Sequence, residues 1–193
     1  MYRMVKRDKN IRESLILAGI DEINAHGASG FSFRRVAELC HVSCAAPYKH
    51  FADKKQFISA IIDYVNQQWA ETQEEVLRQC GDDLRKQMVE VAVNYVKFLM
   101  EKPYYRQILM LKNADFDNLY HRKPGEVNSR TEQIMHNIQK VYDLSEEVWR
   151  RKALTVRSIL FGSVFMFDSG EFKYSEETLE DIRYIINREF EVS

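Results

Sequence analysis

Residues 31–62 read FSFRRVAELCHVSCAAPYKHFADKKQFISAII, and the order of caps, small residues and apolar positions within them decides the fold. Ser32 stands where a hydroxyl satisfies free N–H groups, and Val36, Ala37 and Leu39 give one apolar side to a short helix predicted from about Phe33 to Cys40. His41 and Val42 break it. Ser43 is a second cap candidate, ahead of Cys44-Ala45-Ala46-Pro47-Tyr48-Lys49-His50-Phe51, with Val42, Ala46 and Phe51 turned inward. Small side chains on the leading edge of this second helix let a backbone approach base edges and phosphates, while Tyr48, Lys49 and His50 supply donors. The pair predicts a helix-turn-helix whose second helix fits a major groove. Asp53 caps a third helix with Lys54 and Lys55 in its first turn; cations there are unfavourable unless an anion such as a DNA phosphate accompanies them.

On the N-terminal side, Ile11, Leu15, Ile16, Ile20 and Ile23 predict a bracing helix over residues 9–25 with Gly27 as its stop. Arg3, Lys6 and Arg7 ahead of it read as a loose basic arm, either a solvated tail or a contact to DNA. The ordered string Gly27, Gly30-Phe31-Ser32-Phe33-Arg34-Arg35-Val36-Ala37-Glu38, Val42-Ser43, Tyr48-Lys49-His50-Phe51 and Lys54 resembles the N-terminal domain of the TetR family of bacterial transcriptional regulators. The likeness covers roughly residues 8 to 62. It implies that Ser32, Tyr48, His50 and Lys54 hold phosphates, and that Arg34 with Cys44, Ala45, Ala46 and Lys49 faces bases; Ser43 belongs to the same DNA-binding set. Two departures stand out. Pro47 occupies a place where an aliphatic residue is common, tolerable only in a first helical turn, and Cys44, Ala45 and Ala46 offer few hydrogen-bond donors to read bases with.

Beyond the motif the apolar stripe does not stop. Phe57, Ile61, Tyr64, Val65, Trp69 and Val76 carry one long helix to about residue 78, out of a DNA-binding head (1–55) and into a body (56–193). Further helices are predicted from Leu84 to before Pro103, from Tyr104 to Leu111, from Val127 to Tyr142, from Ser145 to about Phe167, and after Ser175. The polar stretch Lys112 to Glu126, with Asp115, Asp117 and His121, reads as a loop without common metal-ligand spacing. The expected fold class is all-α: a three-helix helix-turn-helix domain followed by a helical ligand-binding and dimerisation bundle.

Residues 159–167 are apolar around most of a helix and must be covered on all sides. Together with the broad stripe of the last helix they predict half of a four-helix interface in a two-fold homodimer, through Ile159, Gly162, Ser163, Met166, Leu179, Ile182 and Ile186. The middle helices hold many aromatic and sulfur side chains, mostly core by type. They also suit a pocket for an apolar or aromatic small-molecule effector lined by some of Tyr95, Phe98, Tyr105, Met135, Phe161 and Phe165.

Composition bounds the alternatives. The chain has 193 residues, 45% hydrophobic and 30% charged, and only seven Gly and three Pro, which favours helices. Net charge is −1, yet residues 1–55 carry ten Lys/Arg against six Asp/Glu, so the head is basic and the remainder acidic, as suits a chain that meets phosphates at one end. Three cysteines in no metal spacing fit a reducing cytoplasm, and no apolar run is long enough for a membrane span. No catalytic order of Ser/His/Asp or Cys/His, no phosphate loop and no paired metal ligands occur, so no enzyme activity, metal or cofactor is expected. The sequence therefore predicts a regulator, a repressor released from a pseudo-palindromic operator by its ligand. Control through oxidation of Cys44, or through a protein partner, are the alternatives.

Overall fold

A computed structural model describes residues 2–109 and 129–191, with side chains from Ile11 onward, and every regular element among them is an α-helix. The loop predicted over Lys112 to Glu126 lies outside the described residues. By packing, the chain divides into two units. The first holds residues up to Gln67 and the segment that begins at Pro103; the second holds Gln68–Lys102 and the segment that carries the last three helices.

In the first unit, α1 runs Tyr2–His26. It starts well ahead of the predicted residue 9, so Arg3, Lys6 and Arg7 are helical and not a loose arm. Residues 2–10 contain no Gly or Pro and are rich in Arg, Lys and Met, which favour continuation of a helix. Gly27, with φ 70°, stops it, and its N–H closes on the Ile23 carbonyl at 2.8 Å. Helices α2 (Phe33–Leu39) and α3 (Ala46–His50) pack on α1, as does α6 (Pro103–Leu109). Asn24 Nδ2 of α1 donates to the Tyr104 carbonyl of α6 at 3.3 Å.

Helix α4 runs unbroken from Lys54 to Cys80, as the apolar stripe predicts, and passes from the first unit into the second. Asp53 caps it: Gln56 N–H donates to Asp53 Oδ1 at 2.7 Å while Gln56 Oε1 accepts the Ala52 N–H at 2.6 Å, a reciprocal pair of the capping-box kind.

In the second unit the central element is α5 (Leu84–Glu101), against which α7 (Ser129–Val141), α8 (Glu146–Ser169) and α9 (Glu176–Glu189) all pack. Each of three helices is capped by the residue before it: Asp83 accepts from Lys86 N–H, Ser145 from Val148 N–H and Ser175 from Thr178 N–H. The core of this unit takes in Val93, Val96 and Leu99 of α5, Ile138 of α7, Val164 of α8 and Ile186 of α9. Among its buried polar groups is Gln73 of α4, whose amide donates to Thr131 Oγ1 of α7 at 2.6 Å.

Four residues of α5 make polar contacts with α9 and the residues that flank it. Arg85 donates to the Asn187 carbonyl and pairs with Glu191 at 3.2 Å, Glu90 takes a two-pronged contact from Arg183 at 2.7 and 3.1 Å, Lys97 pairs with Glu176 at 3.1 Å, and Glu101 accepts from the Tyr174 hydroxyl at 3.3 Å. Partners descend α9 as they climb α5, so the two helices run antiparallel. Glu90 raises the pKa of Arg183 further above its ordinary value.

The predicted dimer residues divide. Ser163, Leu179, Ile182 and Ile186 are buried by the chain's own helices and are not free to meet a partner. Their stripes are broad because α8 and α9 each pack against α5 and against one another. Ile159, Gly162 and Met166 remain partly exposed, and the outward apolar residues include instead Val148, Leu154 and Phe165 of α8 with Tyr184 and Ile185 of α9.

Candidate nucleic-acid interface

An aromatic cluster sets the geometry of the head. Phe57, the first inward residue of α4, is fully buried, with ring centroids 5.3 Å from Phe31, 5.3 Å from Phe33 and 4.5 Å from Phe51. Phe33 in turn stacks at 4.9 Å on Tyr48. The start of α2, the body of α3 and the start of α4 are thus pinned to one ring. Tyr48 keeps its other side in solvent. A tyrosine so held has an apolar flank in the core and a hydroxyl outside, with little rotamer freedom left to lose on meeting a partner.

The turn before α3 is longer than predicted. The helix begins at Ala46, with Ala45 at its N-cap and Pro47 buried in its first turn, so Ser43, Cys44 and Ala45 lie in the approach and not on the helix. Ser43 accepts the Ala46 N–H through its backbone carbonyl, which closes a turn and leaves its side chain out of the cap. Ser43, Cys44, Ala45, Tyr48 and Lys49 are exposed; Ala46 and His50 are half-buried. Ser32 is at the N-cap of α2 as expected, but its hydroxyl makes no capping bond. Its N–H donates at 3.0 Å to Glu22 of α1, so the chain enters α2 along a path fixed from α1.

The two adjacent arginines of α2 part company. Arg34, 79% exposed, reaches only Glu38 one turn on, at 2.9 Å, and the neighbouring Glu38 carboxylate raises its pKa further; Cys44 acts in the same sense. An exposed pair of this kind is worth little and opens readily toward a phosphate or a base. Arg35 turns back to Glu22, placing Nε 2.8 and 3.1 Å from its two oxygens, with Nη2 on Oε1 at 2.5 Å.

Lys54, predicted at a phosphate, is exposed and turns its ammonium onto the head's own backbone. Nζ donates to the Ala28 carbonyl at 2.8 Å and stands 5.6 Å from the Phe31 ring. Arg12 of α1 was not singled out by the sequence; its guanidinium lies 5.2 Å from the centre of the Phe51 ring, one residue from His50. Only its position three residues before Leu15 on a helical stripe hinted at it, and the contact joins residues far apart in the chain. Arg34, Tyr48, Lys49 and Arg12 are thus exposed donors and cations of this unit, with Tyr48 and Arg12 held against its aromatic cluster.

The residues named for a ligand pocket do not all share one place. Tyr95 and Phe98 of α5 pack on Trp69 of α4, at 4.8 and 5.4 Å. Met135 of α7 and Phe161 of α8 are half-buried in the same unit, with the Arg157 guanidinium 5.7 Å from the Phe161 ring. Tyr105 belongs to the first unit, 6.3 Å from Tyr64, and Phe165 is 69% exposed, so neither lines the interior of the second unit. For Phe165 the reason is phase: it falls opposite the buried Leu160, Val164 and Phe167 on α8. Trp69 is the liner that the sequence had assigned to the linking stripe.

Residues 15–61 match the family described as bacterial regulatory proteins, tetR family. Among curated proteins none matches. Solved structures with the same fold include a TetR family transcription regulator from Marinobacter aquaeolei (19% identity, 95% of this chain and 97% of that one, TM-score 0.72). Others are a TetR-like transcriptional regulator from a Rhodococcus species (12% identity, 93% of each chain, TM-score 0.67) and a TetR variant from Acinetobacter baumannii in complex with minocycline (15% identity, 91% and 92%, TM-score 0.54).

Proposed function

We infer that this chain, a member of the TetR family by its matched head and its fold, is a DNA-binding transcriptional regulator that acts as a homodimeric repressor on a pseudo-palindromic operator. The observation that carries the reading is the outward face of α2 and α3. Arg34, Tyr48 and Lys49 are exposed there on helices whose opposite sides are locked into the Phe57 cluster. Ser32, whose hydroxyl is not used as a cap, and His50 flank them and supply phosphate contacts; Ser43, Cys44, Ala45 and Ala46 give the close approach at the groove. Lys54 joins them by exchanging the Ala28 carbonyl for a phosphate.

Dimerisation uses the outward side of α8. Leu154, Ser158, Gly162 and Phe165 follow one another at helical spacing along one side of α8, with the exposed Arg157 nearby. A Cβ on Gly162 would meet nothing within 4 Å, so no contact among the described residues calls for a glycine that weakens the helix by about 1 kcal/mol relative to alanine. Close approach of a second helix does call for one.

The effector is an apolar or aromatic small molecule held in the second unit near Trp69, Tyr95, Phe98, Met135 and Phe161, and the minocycline complex of the Acinetobacter protein supports a ligand of that kind. It acts by binding better to the arrangement of the dimer that does not fit the operator. Selection of duplexes from a random library by the purified chain tests the reading. Recovered fragments should share two half-sites about one helical turn, or a multiple of it, apart. A chain that shows no salt-sensitive binding to any duplex refutes it.

A further inference from the structure

We propose that Glu22 is a positioning residue for DNA binding, which fixes the start of α2 and withholds Arg35 from the duplex so that Arg34 alone of the pair faces the groove. The inference rests on the DNA-binding reading and names how its site is kept specific.

Glu22 is 2% exposed, in the interior between α1 and α2. A carboxylate there is tolerated only while donors surround it. They come from two directions: the Ser32 N–H at 3.0 Å and the Arg35 fork at 2.5–3.1 Å, with His26 Nε2 standing farther off at 3.7 Å. Arg35 is anchored a second time on the Gly30 carbonyl. A Cβ on Gly30 would lie 2.4 Å from the His26 carbonyl oxygen, so the turn that carries this acceptor is itself fixed.

Arg34 and Arg35 are consecutive, of equal length and equally charged, and they lie in the turn that Ser32 opens. Nothing in their own chemistry selects between them. The selection is made from α1, because Arg35 cannot swing to a phosphate without leaving Glu22 buried and unpaired. The same carboxylate claims the Ser32 N–H, which leaves the uncapped hydroxyl as the group that residue offers outward. A second mobile arginine beside Arg34 would add sequence-independent affinity and erode discrimination between sites.

The test is the salt dependence of binding by the full chain, measured on a random-sequence duplex and on a selected fragment. Glu22→Gln keeps the volume and an oxygen for Ser32 N–H but faces the Arg35 fork with an amide donor, which frees Arg35. The slope of log K against log salt on random duplex should steepen by about 0.9, the release of counterions by one further cation. Its ratio of selected to random affinity should fall. Glu22→Gln/Arg35→Gln should return the slope to that of the unaltered chain. Should Glu22→Gln not fold, Arg35→Gln alone carries the test, since removal of a withheld cation leaves the slope unchanged. A folded Glu22→Gln with an unaltered slope, or an Arg35→Gln slope shallower by about 0.9, overturns the proposal while DNA binding stands. An unaltered chain that binds no duplex overturns both.

Discussion

Replacing Gly19 with alanine sets two effects of opposite sign against each other. Gly19 lies inside α1, where alanine in place of glycine favours a helix by about 1 kcal/mol. A Cβ built there would stand 2.4 Å from Phe57 Cε1, 2.7 Å from Phe57 Cζ and 2.7 Å from Ile61 Cδ1. Carbon atoms rest at about 3.5–4.0 Å, so the ring would have to retreat by on the order of 1 Å. The Ile61 methyl can rotate aside. The Phe57 ring cannot, because Phe31, Phe33 and Phe51 close on it from other sides. An added methyl in a packed core costs about 1–3 kcal/mol, and a pinned ring puts the cost in the upper part of that range. Gly19→Ala should therefore destabilise the protein by about 1–2 kcal/mol net, read as a lower urea midpoint at unchanged m. In a Phe57→Leu background the clashing ring atoms are gone, and the same exchange should become neutral or stabilising. A Gly19→Ala midpoint equal to or above that of the unaltered chain would show that the ring yields, and the argument for an immobile aromatic base under α2 and α3 would fail.

Two other outcomes follow from the second unit. Phe165→Glu places a charge on the outward face of α8 without touching the core, so helix content should persist while sedimentation shows a shift from dimer to monomer; a dimer of unchanged strength would move the interface elsewhere. Burial pushes the Tyr95 phenol up to about 12 from its ordinary value near 10, with Arg157 opposing. An unfolded chain thus ionises this group first, and stability should fall as pH rises from 10 toward 12, by up to about 1.4 kcal/mol per pH unit, with no contribution below pH 10. Tyr95→Phe should flatten that decline in a series of urea titrations, and an equally steep loss in the variant would discharge Tyr95 from the effect.

What the sequence made legible was local. Asp53 caps the helix expected of it, and Ser145 and Ser175 open theirs where the sequence places the starts, because a cap and the N–H group it serves are three residues apart. The unbroken stripe from Phe57 to Val76 predicted α4 to within about two residues of its end at Cys80. What escaped lay in partners far along the chain. Ser32 has the sequence of a cap but donates its N–H to Glu22, ten residues back; Arg35 resembles Arg34 until Glu22 is placed beside it; Lys54 finds the carbonyl of Ala28. Periodicity shows that Leu179, Ile182 and Ile186 must be covered, yet it does not say by which chain. Their cover is the chain's own α5 and α8, against both of which α9 packs.

The polar edge between α5 and α9 does more than hold two helices together. Glu90 with Arg183 and Lys97 with Glu176 have opposite polarity seven residues apart. Sliding α9 by two turns one way would set Lys97 against Arg183, and two turns the other way would set Glu90 against Glu176. Apolar surfaces tolerate such a slip, since one greasy contact resembles the next; these teeth do not. The pattern therefore acts as a key against misthreaded bundles during folding, and high salt, which blunts it, should cost the protein fidelity of assembly before it costs much stability.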